Sequence, residues 1–242
     1  MNDPPLLIAE LTYAYNQAKS SPWDNPHQEG VRPPTSRRSG AEAATNASGL
    51  PGTLKLGAWL HAGQFADQRF DNKGGLLAAS GGPALEHSGN FGLYGIIDQL
   101  LWRPAGNNGQ GELNAFLRAV SVPSDRNLID FYLDGGLTYK GLIDLRPDDT
   151  VGLGVAYGRV SPQAANFDRD VISITGVAMP VRDYEAVIEL TYQMQLAQNW
   201  SVQPSVQYVA HPGGHVPDPR DPTGSVATRD AVVLGIRSIL KF

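Results

Sequence analysis

The segment Glu185–Leu196, with the sequence EAVIELTYQMQL, decides the fold class of this chain. Its even-numbered positions are all apolar or aromatic, whereas its odd-numbered positions, except for Val187, are polar. A repeat of two residues is typical of a β-strand, and twelve residues of near-strict alternation do not fit the 3.6-residue repeat of a helix. We therefore predict a long strand with one apolar and one polar face.

The same alternation occurs along the rest of the chain and predicts an all-β protein of about nine strands. The next strand follows after only three residues, Ala197–Asn199, as in an antiparallel hairpin. No segment has a convincing helical pattern, and Asp170–Met179 fits either a short strand or a loop. The predicted strands are Leu6–Tyr15, Thr53–Gln64, Phe91–Arg103, Gly111–Val122, Leu128–Gly141, Thr150–Val160, Glu185–Leu196, Trp200–Ala210 and Asp230–Phe242.

The composition of the 242 residues excludes several classes of protein. With 27 glycines and 18 prolines, the chain suits strands joined by turns better than a helical bundle. The absence of cysteine excludes a disulfide scaffold, a thiolate zinc site and a cysteine nucleophile. A formal net charge of -5 argues against non-specific binding to nucleic acid, which requires a basic face.

The two strand faces indicate a membrane barrel. No apolar run approaches the roughly 20 residues of a transmembrane helix, but a membrane strand needs only about 9–11 residues with one apolar side. Tyr13, Trp102 and Trp200 lie near strand ends, and Glu189 and Gln193 lie on a face too polar for a dry core. An outer-membrane β-barrel has apolar side chains on its outer surface, polar side chains inside and aromatic side chains at its rims. The alternative is a soluble β-sandwich that binds carbohydrate, with one wet face on each sheet.

The connections alternate between long and short, as in outer-membrane barrels, which have short periplasmic turns and longer external loops. The long connection Asn16–Gly52 departs from this order, and we interpret residues 16–49 as a mobile loop or insertion. The segment Met1–Pro5 has none of the features of a signal peptide. We therefore expect that an export signal has been removed or that the natural beginning is missing.

Four parts of the chain resemble the carbohydrate-selective porins of Gram-negative outer membranes, the OprB type. They are Leu50–Trp59 with Gly63–Asp71, Gly92–Arg103, Gln203–Tyr208 with His211–Gly214, and the closing Lys241–Phe242. The similarity runs from about Leu6 to Phe242, apart from the predicted insertion.

The resemblance implies an antiparallel transmembrane β-barrel. The family's barrels are 16-stranded, so nine strands resemble the C-terminal half of such a porin. Residues 1–242 are then one barrel domain that is incomplete at its N-terminus. Because unpaired backbone groups in lipid cost several kcal/mol each, an alternative is a non-conducting fragment that needs a partner. That partner is a missing N-terminal half or further copies of the chain.

The resemblance also implies a function. A porin passes carbohydrates and other small solutes by passive diffusion, and its partners are the bilayer of the outer membrane and the transported sugars. We therefore expect neither an enzyme nor a cofactor.

The alternation places a set of polar side chains on the predicted lumen side. A charge on the lipid side near the midplane costs about 2–4 kcal/mol, which supports the lumen position of Glu189. Arg118, with Asp130 and Asp134 on the neighbouring strand, is a candidate for part of a constriction, although any one of these residues is more simply explained as a solvated wall residue. The predicted pore-lining residues are Glu10, Thr12, Arg118, Asp130, Asp134, Lys140, Glu189, Gln193, Gln203, Gln207 and Arg237.

The long connection Phe65–Asn90 is expected to fold inward. Its charged residues Asp67, Arg69 and Asp71 then lie at the mouth of the pore. This expectation follows from the resemblance and from the length of the connection.

Other combinations of residues do not predict chemistry. His211 and His215, in the sequence HPGGH, are interpreted as part of an exposed turn, because no third metal ligand is evident. We therefore expect no metal site in this chain. Glu185 and Glu189 are about 13 Å apart along a strand, beyond the roughly 5–9.5 Å of a glycosidase carboxyl pair.

Overall fold

The structure, a computed structural model, describes residues 4–17, 49–104 and 111–241. Almost all of the predicted insertion at 16–49 and the terminal Phe242 lie outside these residues, so the predictions about them are not addressed. Among the described residues, no helix is both long and apolar enough to span a membrane.

Within the described residues, nine strands form a single antiparallel sheet in which each strand pairs with the next one along the chain. This arrangement confirms the predicted all-β fold class and the number of strands. The strands are β1 Leu6–Tyr15, β2 Gly52–Asp71, β3 Ala84–Trp102, β4 Leu113–Ser121, β5 Ile129–Lys140, β6 Thr150–Val160, β7 Tyr184–Ala197, β8 Trp200–Ala210 and β9 Ala231–Leu240.

The sheet is open rather than closed into a barrel. Its order runs from β1 to β9, and in the described part of the chain these two strands pair only with β2 and β8. Both outer edges therefore carry backbone groups without a partner strand.

The register places apolar side chains in continuous rows on one face. Leu137, Leu153, Leu190, Val206 and Leu234 are successive partners across β5–β9. All five are exposed, between 39% and 79%. No second sheet in the described ranges covers this face, so the packing expected of a soluble sandwich is not present.

Aromatic side chains border this face at the end of the sheet that carries most of the short connections. The rings of Tyr13 and Tyr15 are stacked with centroids 5.8 Å apart, and those of Trp102 and Tyr139 are stacked at 6.2 Å. The indole of Trp200 donates to the hydroxyl of Ser238 at 3.0 Å. Aromatic rings with a polar edge suit the boundary between lipid and water.

The hairpin of β2 and β3 is longer than the sequence predicts. The predicted connection Phe65–Asn90 is mostly strand, and only residues 72–83, which include the short helix α1 (Leu77–Ser80), join β2 to β3. Register shifts occur between His61 and Gln64 and again between Ala66 and Asp71. Each bulge interrupts the two-residue repeat, which explains why the alternation ends near Gln64 although the strand continues.

The prediction that the chain contains no helix is wrong, because α2 spans Pro162–Thr175 in the connection between β6 and β7. The hydroxyl of Ser161 caps its first turn by accepting from the amide of Ala164 at 3.2 Å. Gly176 ends the helix in a left-handed conformation. Serine followed by proline at the start, and glycine at the end, are known helix signals, and both are present in the sequence of α2.

Candidate functional site

The polar face of the sheet gathers most of the predicted pore-lining residues. Arg118 is the strand partner of Asp134, Glu189 is the partner of Gln207, and Gln203 is the partner of Arg237. By the same register Gln193 lies opposite Gln203, on the face opposite the apolar rows. A lining role for these residues stays a prediction, but their common face agrees with it.

Arg118 and Asp134 form a two-point ion pair. Nε of Arg118 donates to Oδ1 of Asp134 at 2.7 Å, and Nη2 donates to Oδ2 at 3.1 Å. The guanidinium also lies 5.8 Å from the ring centre of Tyr132. The carboxylate is buried and the guanidinium is half-exposed, so the pair presents a fixed hydrogen-bonding surface with little net charge.

On the polar face, amide side chains of β8 bind to side chains of β7. Nε2 of Gln207 donates to Oε2 of Glu189 at 2.5 Å, and Nε2 of Gln203 donates to the hydroxyl of Thr191 at 2.7 Å. These bonds keep donors and acceptors oriented on a surface that is otherwise open.

A third polar cluster links the first three strands. Glu10 accepts from the hydroxyl of Tyr94 at 2.9 Å and from Thr12 at 3.2 Å, and the ammonium of Lys55 lies 3.6 Å from it. Glu10 and Thr12 are predicted on this face from the sequence, whereas Lys55 and Tyr94 were not candidates. The alternation within β2 and β3 is the signal that identifies both.

A groove of about 480 Å³ lies on the side of the short connections, between the ends of β2 and β5. Thr53, Asp98, Asn114 and Thr138 supply polar groups to it, and the ring of Phe116 forms part of its wall. None of these residues was a sequence candidate. Hydroxyl, amide and carboxyl groups beside an aromatic ring can bind a polar, ring-shaped solute.

Asp130 differs from the other predicted lining residues. It lies at a register shift in β5 and accepts two hydrogen bonds from Arg159, at 2.8 Å and 3.0 Å. Arg159 pairs with Phe131 and Tyr184, which belong to the apolar face. Asp130 is only 4% exposed. Its hydrogen-bond partner is Arg159, whereas Arg118 binds Asp134. A lining role for Asp130 stays a prediction.

Asp67 and Asp71 lie in the extension of β2, and both are buried. Asp67 accepts from the amides of Arg69 and Phe70, both at 2.8 Å, and from Nε2 of His87 at 2.7 Å. Asp71 accepts from backbone amides of the following turn. These contacts fold the hairpin, and a role of the two carboxylates at a pore mouth stays a prediction.

Arg69 connects this hairpin to α2. Its guanidinium donates to both carboxylate oxygens of Asp170, at 2.7 Å and 3.1 Å, although 101 residues separate the two. Helix α2 follows β6 in the chain but contacts α1 and β2, four strands away in the sheet. The helix therefore extends across the side of the sheet that carries the long connections.

A buried ion pair fixes the other side of α2. Asp168 is 2% exposed and accepts from Nη2 and Nε of Arg182, at 2.7 Å and 2.8 Å, and from the Arg182 amide at 3.0 Å. Neither residue was a sequence candidate, because nothing in the local pattern pairs them.

Two histidines that the sequence analysis assigned to an exposed turn have a third polar neighbour. Asp183, His211 and His215 place their ligand-type atoms within 4.8 Å of one another. The expectation that no third candidate ligand lies near the two histidines is therefore wrong.

A long antiparallel meander with one exposed apolar face, one polar face and an aromatic border is the wall of an outer-membrane β-barrel. Residues 1–242 match the family described as carbohydrate-selective porin, OprB family. The chain therefore belongs to the carbohydrate-selective porin family, as its sequence resemblance indicates.

Individual relatives agree with this family. Porin B of Pseudomonas aeruginosa is 27% identical over 175 residues, which cover 69% of this chain and 38% of that protein. A putative porin of Acinetobacter baylyi, QuiX, is 24% identical over 178 residues, covering 69% of this chain and 37% of that protein. A high-pH structure of Pseudomonas putida OprB superimposes with a TM-score of 0.71 at 27% identity, covering 80% of this chain and 45% of that one. The chain thus spans less than half the length of these relatives.

Proposed function

We propose that this chain forms part of the wall of a water-filled outer-membrane β-barrel through which carbohydrates and other small solutes diffuse passively. The observation that carries the proposal is the opposite character of two exposed faces of one sheet. Rows of leucine and valine suit lipid tails, and the opposite rows of Glu189, Gln193 and Gln203 suit water. The names of the porin relatives support the same function.

The chemistry of the polar face supports neutral solutes. Arg118 is bound to Asp134, and Lys55 lies beside Glu10, so charges of opposite sign lie close together and do not form a ring of one sign. A wall of this kind has a weak net field and many hydrogen-bonding groups, which favours sugars over ions. Passage of this kind requires no covalent chemistry, and we infer that the chain is not an enzyme.

The face assignment is tested by single-cysteine labelling of the full chain in phospholipid vesicles, because the chain has no cysteine of its own. Gln193→Cys and Gln203→Cys are expected to react quickly with a charged, water-soluble thiol reagent. Leu190→Cys and Val206→Cys, on the same two strands, are the matched controls and are expected to be protected by lipid. Equal reaction rates at the two sets would contradict the proposal.

Solute passage is tested by swelling of the same vesicles in isotonic sugar. Vesicles with the wild-type chain are expected to swell in a monosaccharide, more slowly in a trisaccharide, and more slowly still after a bulky thiol reagent has modified Gln203→Cys. The Val206→Cys chain treated with the same reagent is the control, and its vesicles are expected to swell at the rate of the untreated ones.

A second candidate, a fragment that conducts only with a partner, is favoured by the open sheet. The outer edges of β1 and β9 would leave unpaired backbone groups in lipid, at a cost of several kcal/mol for each group. Vesicles that show the two-faced labelling pattern but no swelling would support this candidate. Additional polypeptide, from an N-terminal half or from further copies, then supplies the missing strands.

A further inference from the structure

The turn His211–His215 follows β8 and folds back against the first residues of β7. Nδ1 of His211 lies 3.2 Å from Oδ1 of Asp183, and Nδ1 of His215 lies 3.1 Å from Oδ2 of the same carboxylate. Asp183 precedes the two histidines by 28 and 32 residues, so the pairing of β7 with β8 brings the three together.

We propose that Asp183, His211 and His215 form a binding site for one divalent transition-metal ion of the zinc, nickel and copper class. Imidazole nitrogen and carboxylate oxygen are ligands that these ions accept in proteins. Ligand atoms about 2.0–2.1 Å from an ion lie roughly 2.8–3.4 Å from their neighbours in octahedral or tetrahedral geometry. The observed separations of 3.1 Å and 3.2 Å fall in that range. All three residues are half-buried, so water can complete the coordination shell.

The backbone holds the three residues in place before any ion binds. The carbonyl of Asp183 accepts from the amide of Val160 at 2.7 Å, and its amide donates to the carbonyl of Gly214 at 3.1 Å. The amide of His211 donates to the carboxylate of Asp230 at 3.0 Å. Ligands mounted on fixed strand ends lose little freedom on binding, which favours a specific site.

The surroundings of the site are acidic. Glu185 accepts from the amide of Gly213 at 2.6 Å, and Asp230 bonds to His211, so two further carboxylates border the turn. Arg182 directly precedes Asp183 in the chain, but its guanidinium is bound to Asp168. The local charge therefore attracts a cation.

The same distances fit a simpler arrangement in which each imidazole donates one hydrogen bond to Asp183. The two rings are stacked, with centroids 3.5 Å apart and planes 23° apart, so their in-plane lone pairs do not converge on one point. Binding of an ion therefore requires one ring to rotate and break the stacking, and we expect a dissociation constant in the micromolar range. The hydrogen-bonded arrangement alone predicts no specific binding.

The test is titration of the full, tag-free chain in detergent micelles with zinc chloride, followed by calorimetry, and with copper(II), followed by electron paramagnetic resonance. We expect one zinc ion for each chain and copper spectra with hyperfine splitting from two nitrogens. Asp183→Asn and His215→Asn are each expected to weaken binding at least tenfold. Asparagine suits position 215 because the φ of 67° there is a left-handed conformation that asparagine tolerates.

The matched control is His61→Gln, which removes an imidazole from β2 and is expected to bind zinc as the wild type does. Circular dichroism and the heat-induced gel shift confirm that each variant is folded. Zinc is also expected to raise the unfolding temperature of the wild type but not that of Asp183→Asn. Unchanged affinity in the Asp183→Asn/His215→Asn double variant, or no wild-type binding tighter than millimolar, would overturn the proposal.

Discussion

Strand β7 and helix α2 are neighbours in the chain, and they are stabilised in different ways. Strand β7 pairs with strands on both sides, and its alternate side chains lie on the apolar and polar faces. Helix α2 buries only small or polar side chains, namely Ala164, Ala165 and Asp168, and is held by ion pairs with residues outside the helix.

The difference concerns what each element requires of its residues. Strand β7 needs the right polarity at each position, and many residues meet that need because the lipid or water environment acts on all of them alike. Helix α2 needs particular partners, Arg69 and Arg182, at particular positions. Substitutions are therefore expected to act through polarity in β7 and through the loss of single contacts in α2.

The largest effect is expected from a charge on the apolar face of β7. Leu190→Arg places a cation near the middle of the strand, and we expect the free energy of unfolding from vesicles to fall by about 2–4 kcal/mol. Gln193→Arg, on the polar face of the same strand, is the control and is expected to change stability by less than about 1 kcal/mol. Equal losses at both positions, measured by urea titration, would mean that the faces do not differ as described.

The next effect is expected from the buried carboxylate of α2. In Asp168→Ala the guanidinium of Arg182 loses the carboxylate that binds it. Because Asp168 is only 2% exposed, we expect the free energy needed to open α2 to fall by about 2–3 kcal/mol. Hydrogen exchange of the α2 amides measures this change. The β7 amides are the internal control. Their protection is expected to stay unchanged, because β7 is held by pairing with its neighbouring strands.

A smaller effect is expected from acid at the short connection 141–149. Asp149 accepts hydrogen bonds from the Arg146 guanidinium, the Tyr192 hydroxyl and the Gln195 amide, and these contacts lower its pKa from 3.8 to about 2. Because the pKa is lower in the folded chain, the stabilisation is complete above about pH 4 and is lost as the pH falls towards 2.

Comparison with Asp149→Asn isolates this contribution from that of other carboxylates. Between pH 5 and pH 2 the wild type is expected to lose roughly 1–2 kcal/mol more unfolding free energy than the variant, as measured by urea titration at each pH. Parallel pH profiles for the two proteins would show that Asp149 does not bind the connection to β7 in this way.

The smallest effect is expected from the ion pair between the β2 hairpin and α2. Arg69→Ala removes a pair that is partly open to solvent, so we expect α2 to open more easily by about 1 kcal/mol or less. Hydrogen exchange of α2 is again the measurement, and Arg169→Ala, an exposed position on the same helix, is the control. An effect as large as that of Asp168→Ala would mean that the two ion pairs act as one unit.

The comparison also explains how far the sequence could predict the structure. Strands β1, β6 and β8 have the predicted bounds, because their alternation is uninterrupted and the same environment acts along the whole strand. The prediction for β2 stops at Gln64 because the strand contains bulges there. Helix α2 was not predicted; the residues that it buries, Ala164, Ala165 and Asp168, are small or polar, so no buried large apolar side chain marks it.

The candidate site divides in the same way. Most of the predicted lining residues lie on one face, among them Arg118, Asp134, Glu189, Gln193, Gln203, Gln207 and Arg237. Asp130, beside a register shift in β5, binds Arg159, a contact that the alternation does not predict. The association of Asp183 with His211 and His215 could not be read from spacing, because the histidines lie beyond the next strand.

The sequence by itself determined that this chain is a two-faced antiparallel sheet, because alternation of polarity is a local property of each strand. The resemblance of four of its segments indicated the porin family. Only the tertiary structure decided where α2 lies, which arginine each buried aspartate binds, and that Asp183 meets two histidines. These contacts join residues tens of positions apart, and their geometry depends on strand register and bulges. The local pattern carries no information on either.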